Sequence, residues 1–406
     1  MNQLNAPPSP TNKIHYVSDI HKLARLSPEE RTRLEQVAKR YAFRANDYYL
    51  SLINWDDPND PIRRLIVPRM DELEDWGSLD ASNEAANTVL PGVQHKYART
   101  VLLLCSEVCG GYCRYCFRKR LFIHENREAT SNVSEGIRYI AQHPEVTNVL
   151  LTGGDPLLLS TDRLAKILAA LRAIPHVRII RIGSKMPAFN PWRILNDSAL
   201  LEILSRYSEP RRRIYLMAHF DHVRELTDPA VEAIDACIRA GVICVNQCPI
   251  IRGVNDDPVV LGDLFRQLSF IGCPPYYCFQ GRPTAGNRPY CVPIVRGWEI
   301  FQKALRRGSG LARRPRFIMS HATGKIEIAG VDHRYIYLRY QCAKDPNEQG
   351  SLKIFKRDDK ACWLDDLTPV SDLGLDDSRV YPALLSTPSE GAPGTSLEPT
   401  EDLSDR

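Results

Sequence analysis

Short apolar segments alternate with helical segments through the middle of the chain, from about residue 100 to residue 320. Seven runs have the length and composition of buried strands: VLLLC at 101, NVLLTG at 148, VRIIRIG at 177, RIYLMAHF at 213, GVICVNQCPI at 241, PPYYCFQ at 274 and RFIMS at 316. Between the second and third runs, four residues have the i, i+3, i+4, i+7 spacing of one buried helix face: Leu164, Ile167, Leu168 and Leu171. This alternation predicts an α/β fold in which helical crossovers connect a parallel sheet, open or closed into a barrel.

The composition is that of a globular protein. The 406 residues are 43% hydrophobic and 25% charged, with a formal net charge of +4, so the chain can bury a large core. Its basic residues are scattered, which gives no support to a nucleic-acid partner. No segment approaches the roughly eighteen apolar residues of a membrane span, and no signal-peptide pattern is visible. We therefore expect a cytoplasmic protein without a membrane partner.

Local signals divide the chain into four predicted regions. Residues 1–90 are expected to form an N-terminal helical region, because the segment from Ser27 begins with a Ser-x-x-Glu capping pattern and continues as a charged helix. A barrel is predicted at 91–335 and a C-terminal extension at 336–375. Residues 376–406 are rich in Ser, Pro, Gly, Thr and acidic residues and poor in apolar ones, so they are predicted to be a disordered tail.

Four of the twelve cysteines lie in one short segment, CSEVCGGYCRYCFRKR at 105–120. The segment follows the first predicted strand, and active sites of such folds lie at the carboxyl ends of the strands. Four thiolates could hold a zinc ion, which would make the chain a zinc-stapled binding protein without catalysis. Alternatively Cys105 points into the core, and Cys109, Cys113 and Cys116 hold three irons of a [4Fe-4S] cluster whose fourth iron is open. The spacing favours the cluster.

The cysteine spacing, with the aromatic residue Tyr115 before the third cysteine, resembles the radical S-adenosylmethionine (SAM) superfamily. The resemblance implies a partial (β/α) barrel in which the cluster binds SAM and cleaves it to a 5'-deoxyadenosyl radical. A low-potential reductant such as flavodoxin or ferredoxin is then an expected partner.

Residues 48 to 340 are similar to one family within that superfamily, the lysine 2,3-aminomutases. Eight motifs occur in the family's order: DPNDPIRR at 57, HKY at 95, CRYCFRKR at 113, LTGGDPLLLS at 151, RIGSKMP at 181, AHFDH at 218, NQCPIIRGVND at 246 and TGK at 323. The resemblance implies an isomerase that moves the α-amino group of an amino acid to the β carbon with the help of pyridoxal phosphate (PLP). It is compatible with a homo-oligomer.

The resemblance also implies contacts to SAM at strand ends. The residues expected to make them, with Tyr115, are Gly153, Gly154, Asp155, Ser184, His219 and Gln247. Glycines allow close approach of a backbone to a ligand. A plain Gly-Asp turn and hydrogen-bonded core residues are the alternatives.

Lys325, after the last predicted strand, corresponds to the family lysine that forms a Schiff base with PLP. The family usually has a run of glycines before this lysine, where this chain has Ala-Thr-Gly at 322–324. The segment beginning at His95 corresponds to the family's phosphate-binding segment. Lys96, Tyr97 and Arg99 are accordingly expected to bind PLP together with Lys325. Lys96 and Arg99 could also be ordinary surface charges.

Arg118 corresponds to the arginine that binds the substrate carboxylate, a role that suits a planar guanidinium. Lysine-acting relatives bind the ε-ammonium with two aspartates, and the corresponding positions here are Arg282 and one of residues 318–320. Arg282 would repel an ammonium group. The sequence therefore predicts a substrate other than free lysine, and Arg282 favours an acidic amino acid. A lysine within a protein, or another radical reaction, is the alternative.

Overall fold

A continuous sheet organises the computed structural model, which describes residues 14–123, 128–130 and 132–370. Its strands, with a separate pair near the N-terminus, are β1 (Tyr16–Val17), β2 (Ala45–Asn46), β3 (Thr88–Leu90), β4 (Val93–Tyr97), β5 (Thr100–Ser106), β6 (Asn148–Gly153), β7 (Ile179–Ser184), β8 (Ile214–Ala218), β9 (Ile243–Pro249), β10 (Pro275–Phe279), β11 (Arg316–His321), β12 (Gly324–Val331), β13 (Tyr335–Ala343) and β14 (Leu352–Lys356).

The α-helices of the described residues lie mostly between these strands. They are α1 (Pro28–Arg40), α2 (Asp47–Ser51), α3 (Pro61–Ile66), α4 (Ser134–Ala141), α5 (Thr161–Arg172), α6 (Met186–Phe189), α7 (Trp192–Leu195), α8 (Ser198–Tyr207), α9 (Asp228–Arg239), α10 (Pro258–Phe270) and α11 (Ile294–Arg306). None of the helices within the described ranges is long and apolar enough to cross a membrane.

The main sheet has twelve strands in chain order, from β3 at one edge to β14 at the other. Every neighbouring pair from β5 to β11 is parallel, and the strands outside this block pair antiparallel. All seven predicted strands are present as β5 to β11, and α5 buries the four residues of its predicted apolar face. The predicted α/β alternation is thus confirmed.

Along each central strand, side chains point alternately into the hydrophobic core and towards an interior cavity. In β6, Val149 and Leu151 are fully buried, whereas Leu150 and Thr152, which point to the opposite face, line the cavity. Every strand from β4 to β13 contributes at least one residue to the cavity wall. The sheet therefore curves around the cavity, but its edge strands β3 and β14 do not pair, so the barrel is partial.

The N-terminal region contains helices and strands. Ser27 caps α1 by accepting a hydrogen bond from the backbone N–H of Glu30, as its sequence predicted. The strand pair β1–β2 and the first edge strand β3 add short extended segments. The described residues up to Thr368 belong to one compact unit. The boundaries near residues 90 and 335 remain predictions, and the tail predicted at 376–406 lies outside the described residues.

Candidate active site

A cavity of about 530 Å³ lies inside the curved sheet. Of the sixteen residues that the sequence assigned to the site, fifteen line it: Lys96, Tyr97, Cys109, Cys113, Tyr115, Cys116, Arg118, Gly153, Gly154, Asp155, Ser184, His219, Gln247, Arg282 and Lys325. Arg99 does not, because it lies in the exposed turn between β4 and β5. The structure therefore gives no support to Arg99 as a ligand of the cavity.

The loop that carries the three cysteines is held by the N-terminal region. Arg114, in the middle of the loop, is fully buried and forms a two-pronged ion pair with Glu72, with Nη2 2.7 Å from Oε2. Its backbone N–H donates to the carbonyl oxygen of Leu65, and its Nη1 donates to that of Ala42. These contacts fix the loop from the side opposite the cavity.

Three of the four clustered cysteines face the cavity. Cys109, Cys113 and Cys116 line it, whereas Cys105 is fully buried in β5 and its thiol bonds a main-chain carbonyl of β6. The backbone N–H of Arg118 donates to Sγ of Cys116 at 3.4 Å, a contact that suits a metal-bound thiolate. Within the described ranges, no three His, Cys, Asp or Glu side chains form a group that could hold one metal ion. In a cubane cluster each protein thiolate binds a separate iron, so three cavity-facing cysteines on one loop are a donor set that fits a three-thiolate cluster.

Gly153 and Gly154 pack against the start of the cysteine loop. The N–H of Gly154 donates to the carbonyl oxygen of Ser106 at 2.7 Å, and that of Asp155 donates to Val108 at 2.8 Å. Gly153 has φ +111°, and a Cβ at Gly154 would lie only 2.2 Å from the carbonyl oxygen of Val108. The two glycines thus let the chain after β6 pack directly against the backbone of Ser106 and Val108. The sequence interpretation, which assigned both glycines to ligand contacts, did not include this role.

Gly154→Ala is expected to destabilise the protein by roughly 1–3 kcal/mol or more, because the new methyl group would overlap backbone that cannot move freely. Thermal unfolding and iron content after reconstitution would measure the effect. Gly310→Ala is the matched control, since a Cβ there meets nothing within 4 Å. Equal stability of the two variants would contradict the packing role.

Asp155 and Ser184 bind each other at the ends of β6 and β7. One carboxylate oxygen of Asp155 accepts hydrogen bonds from the Ser184 hydroxyl at 3.0 Å and from the backbone N–H of Lys185 at 2.8 Å. Burial raises the pKa of Asp155 to about 6. Both side chains line the cavity, and their contact with SAM remains a prediction.

Sequence reasoning missed a buried acid, Asp221, that connects the cysteine loop to the end of β8. Asp221 accepts hydrogen bonds from the Tyr115 hydroxyl, from Nε2 of His219 at 3.0 Å and from Nζ of Lys185 at 2.6 Å. The same ammonium lies 2.6 Å from Glu225. Lys185 lies in the motif RIGSKMP and Asp221 in AHFDH, but no rule of sequence spacing predicts that they pair.

Asp221→Ala is expected to lower the free energy of unfolding by about 3–5 kcal/mol, because it removes a partner from a buried ion pair. Denaturant unfolding of the apo-protein would measure it. Asp235→Ala, which breaks the exposed pair with Arg239, should cost no more than about 1 kcal/mol. A small cost for both variants would count against a buried network.

Lys325 was placed after the last strand by the sequence, but it is the second residue of β12, which continues the sheet beyond β11. Its Nζ lies 4.7 Å from the centroid of the Tyr277 ring. Burial, with the nearby charge of Arg181, lowers the pKa of Lys325 to about 7. A large fraction of this amine is therefore neutral near pH 7, which is the form that reacts with a carbonyl.

Two further cations face the same part of the cavity. Burial lowers the pKa of Lys96 to about 8, and its ammonium donates to the carbonyl oxygen of His321. Arg181, which the sequence did not assign although it lies in RIGSKMP, lines the cavity and donates from Nε to Asn148 at 2.9 Å. Among the neighbouring charges, that of Arg181 lowers the pKa of Lys325 the most. The region is suited to an anionic group such as a phosphate.

Arg118 and Arg282 share one buried carboxylate that the sequence did not identify, Glu84. Nε and Nη2 of Arg118 lie 3.1 and 3.2 Å from Glu84, and Nη1 of Arg282 lies 3.2 Å from it. Arg282 also stacks on Phe117, with its guanidinium carbon 3.8 Å from the ring centroid. Burial alone would raise the pKa of Glu84, but the two arginines hold it well below its usual range. Arg120 also lies 2.7 Å from Glu84 but pairs with Glu128 as well. Arg118 and Arg282 therefore leave a positive surplus over Glu84.

Comparisons with known proteins agree with this geometry. Residues 103–261 match the family model of the radical SAM superfamily. A protein of Aquifex aeolicus (strain VF5) described as "Putative L-lysine 2,3-aminomutase" is 52% identical over 357 residues, which cover 88% of this chain and 96% of that protein.

Two further relatives carry the names of defined reactions. The L-lysine 2,3-aminomutase of Clostridium subterminale is 36% identical over 72% of this chain and 69% of its own length. The glutamate 2,3-aminomutase of Clostridioides difficile (strain 630) is 31% identical over 77% and 73%.

The matches decide between the two interpretations of the cysteine segment. They cover most of this chain and most of the relatives, and they identify an aminomutase-type isomerase. The alternative of a non-catalytic, zinc-stapled protein is therefore wrong. This chain belongs to the lysine 2,3-aminomutase family of radical SAM enzymes.

Proposed function

We propose that this enzyme moves the α-amino group of a free amino acid other than lysine to the β carbon. The observation that carries the proposal is one cavity lined both by Cys109, Cys113 and Cys116 and by Lys325, whose pKa is lowered to about 7. Arg118 and Arg282 lie in the wall of the same cavity. A radical generator, a reactive amine and carboxylate-binding groups can thus act on one small molecule.

The [4Fe-4S] cluster, SAM and PLP used by enzymes of this family supply a 5'-deoxyadenosyl radical and a conjugated carrier for the migrating nitrogen. The residues that would hold them are Cys109, Cys113 and Cys116 for the cluster, Tyr115, Gly153, Gly154, Asp155, Ser184, His219 and Gln247 for SAM, and Lys325, Lys96 and Tyr97 for PLP. Arg181 is a further candidate for the phosphate. A low-potential one-electron donor is the expected partner.

The cavity wall fits polar ligands. Six buried side-chain atoms that lack a hydrogen-bond partner within the described residues belong to residues of this wall: Asn87 Oδ1, Gln94 Nε2, Tyr97 Oη, Gln280 Oε1, Asn287 Oδ1 and Gln341 Oε1. Buried polar atoms are normally paired, so these six atoms concentrate unpaired polar groups next to the cavity. Tyr97 follows Lys96 on β4, and Gln341 lies on β13, which pairs with the strand that carries Lys325.

Arg118 is suited to orient the α-carboxylate, since it is buried and held by Glu84 and by Thr152. Rigid orientation matters because a primary radical reacts with almost any C–H bond within reach. Lys325 can hold or release a proton at Nζ near neutral pH, and Tyr277 covers it from one side. These side chains position the substrate and shield its reacting carbons from water.

The substrate side chain would meet Arg282. Only Nη1 of its guanidinium makes a hydrogen bond within the described residues, so further donors can bind a carboxylate. At the second position, Ile318 and Met319 are fully buried, and Ser320 lines the cavity. No acidic group stands at either position to bind an ammonium. An acidic amino acid such as glutamate is the substrate class that this wall favours.

A panel of common amino acids tests the proposal. The reconstituted enzyme would be incubated anaerobically with SAM, PLP and a reductant, and 5'-deoxyadenosine and β-amino acids would be measured by mass spectrometry. We expect a β-isomer from an acidic amino acid and none from lysine. A β-isomer from lysine would refute the substrate argument. Formation of 5'-deoxyadenosine with no β-isomer from any amino acid would refute the proposed reaction.

The rate of PLP uptake by the apo-protein is expected to rise with pH up to about 7 and then level off. Below the depressed pKa of Lys325 the amine is protonated and unreactive, and above it the neutral form is fully present. Absorbance of protein-bound PLP at saturating PLP would follow the rate, with Lys325→Met as the control. A rate that keeps rising tenfold per pH unit to pH 10 would indicate an ordinary exposed lysine.

A further inference from the structure

Gln94 lies on β4 in the wall of the cavity, two residues before Lys96 and on the same face of the strand. The residue is 4% exposed, and its Nε2 has no hydrogen-bond partner within the described residues. Val93, on the other face of β4, is fully buried in the core. A buried amide nitrogen without a partner destabilises a protein unless a ligand or a water accepts its hydrogens.

The orientation of this amide follows from its neighbour, Arg118. Nη2 of Arg118 lies 3.5 Å from Oε1 of Gln94. A guanidinium can only donate hydrogen bonds, so the amide oxygen faces Arg118 and the amide NH2 keeps both of its donors. A hydrogen bond of this length is weak, so it can give way when a ligand binds.

Arg118 itself has few donors left for a substrate. Its Nε and Nη2 bind the two carboxylate oxygens of Glu84 at 3.1 and 3.2 Å, and its Nη1 donates to Thr152 at 3.0 Å. The two-pronged edge that a guanidinium commonly presents to a carboxylate is therefore already occupied by Glu84. A substrate carboxylate held by two hydrogen bonds needs another donor beside Arg118.

We propose that Gln94 is a substrate-binding residue whose Nε2 donates to the α-carboxylate that Arg118 binds. Arg118 supplies the positive charge, and Gln94 supplies the second hydrogen bond that fixes the rotation of the carboxylate. The inference rests on the proposed function, because it takes Arg118 as the carboxylate-binding arginine. It adds a residue that the motifs did not identify, since Gln94 directly precedes HKY.

Calorimetry of amino acid binding tests this inference. The enzyme would be loaded with cluster and PLP but not with SAM, so that no radical forms, and titrated with glutamate or with the amino acid that the substrate panel identifies. Gln94→Met keeps the length of the side chain and removes both donors. We expect roughly ten- to a hundredfold weaker binding, because a hydrogen bond to a charged group is lost. Gln142→Met, which replaces the exposed glutamine after α4, should bind as the wild type does.

Turnover with SAM and a reductant gives a second readout. Gln94→Met should raise KM by a similar factor and should release more 5'-deoxyadenosine per β-amino acid formed. A substrate held by fewer hydrogen bonds is less well aligned with the radical, so more radicals are lost to side reactions.

Thermal unfolding of the apo-proteins separates substrate binding from a structural role. Gln94 has only its long contact with Arg118 to lose, so Gln94→Met should leave the melting temperature unchanged. Gln280→Met is the contrasting variant. Nε2 of Gln280 donates to the carbonyl oxygens of Val292 and Cys362 at 2.7 and 3.0 Å, so its loss should lower the melting temperature.

Two results would overturn the inference. One is wild-type affinity in Gln94→Met, and the other is a fall in its melting temperature as large as that of Gln280→Met. Failure of the wild type to bind or convert any amino acid of the panel would instead refute the proposed function.

Discussion

Replacing Cys113 by alanine is expected to reduce 5'-deoxyadenosine formation to the background level. Cys113 is the central member of the three cavity-facing cysteines, and two remaining thiolates would not hold a cluster that needs three. Iron and sulfide content after anaerobic reconstitution should fall together with SAM cleavage. Both quantities can be measured on the same preparation.

Cys105→Ala is the matched control for this variant. Cys105 is buried in β5 with its thiol directed to the carbonyl oxygen of Thr152, so its loss should affect packing and leave iron binding intact. A four-thiolate metal site would make the two variants equivalent. Retention of full SAM cleavage by Cys113→Ala would refute the assignment of the ligands.

Lys325→Met is expected to lower the rate of β-amino acid formation by roughly a thousandfold or more, as removal of a covalent or acid–base group commonly does. Methionine matches lysine in length but cannot bond covalently to PLP. The cluster should be retained, because Lys325 lies on β12 and the cysteines lie on the loop after β5. Absorbance of protein-bound PLP and mass spectrometry of the product would follow the two effects.

Two controls separate the amine of Lys325 from its charge. Lys325→Arg keeps a positive charge and should be as inactive as Lys325→Met. Lys353→Met changes a half-exposed lysine of β14, which pairs with Glu348, and should keep full activity. Substantial turnover by either Lys325 variant would show that another lysine carries PLP.

Local sequence patterns predicted the central sheet well because each parallel strand is covered by helices and therefore consists of a short apolar run. The alternation within β6 and β7 even separates core residues such as Val149 and Ile180 from cavity residues such as Thr152 and Arg181. The curvature of the sheet was not predictable from these runs alone. It depends on how successive strands pack around the cavity.

Site residues were predictable where a motif carries them and missed where a distant residue completes the contact. Glu84 lies 34 residues before Arg118 and 198 before Arg282, so no local pattern could show that they share a carboxylate. Glu72 and Arg114 are similarly distant in the chain. Arg99 was assigned by its position next to HKY, but the turn between β4 and β5 directs it outward.

The order of the motifs also could not show why a particular amino acid is needed at a motif position. Gly154 was interpreted as a ligand contact, whereas its immediate neighbour is the backbone of Val108. Nothing in the basic segment CFRKR showed that the Lys119 ammonium is buried without a hydrogen-bond partner among the described residues, whereas the neighbouring arginines pair with acids. Burial, which sequence reports only on average, decides the energetic weight of each charge.

A double-label crossover experiment tests whether nitrogen migrates intramolecularly from the α to the β carbon. The enzyme would act on an equal mixture of ¹⁵N-labelled and fully ¹³C-labelled acidic amino acid, taking glutamate first, with SAM, PLP and a reductant present. Intramolecular migration predicts β-amino acid in which ¹⁵N stays with unlabelled carbon and ¹⁴N stays with ¹³C. Product that combines ¹⁵N with ¹³C would show release and recapture of the nitrogen and would contradict the proposed reaction.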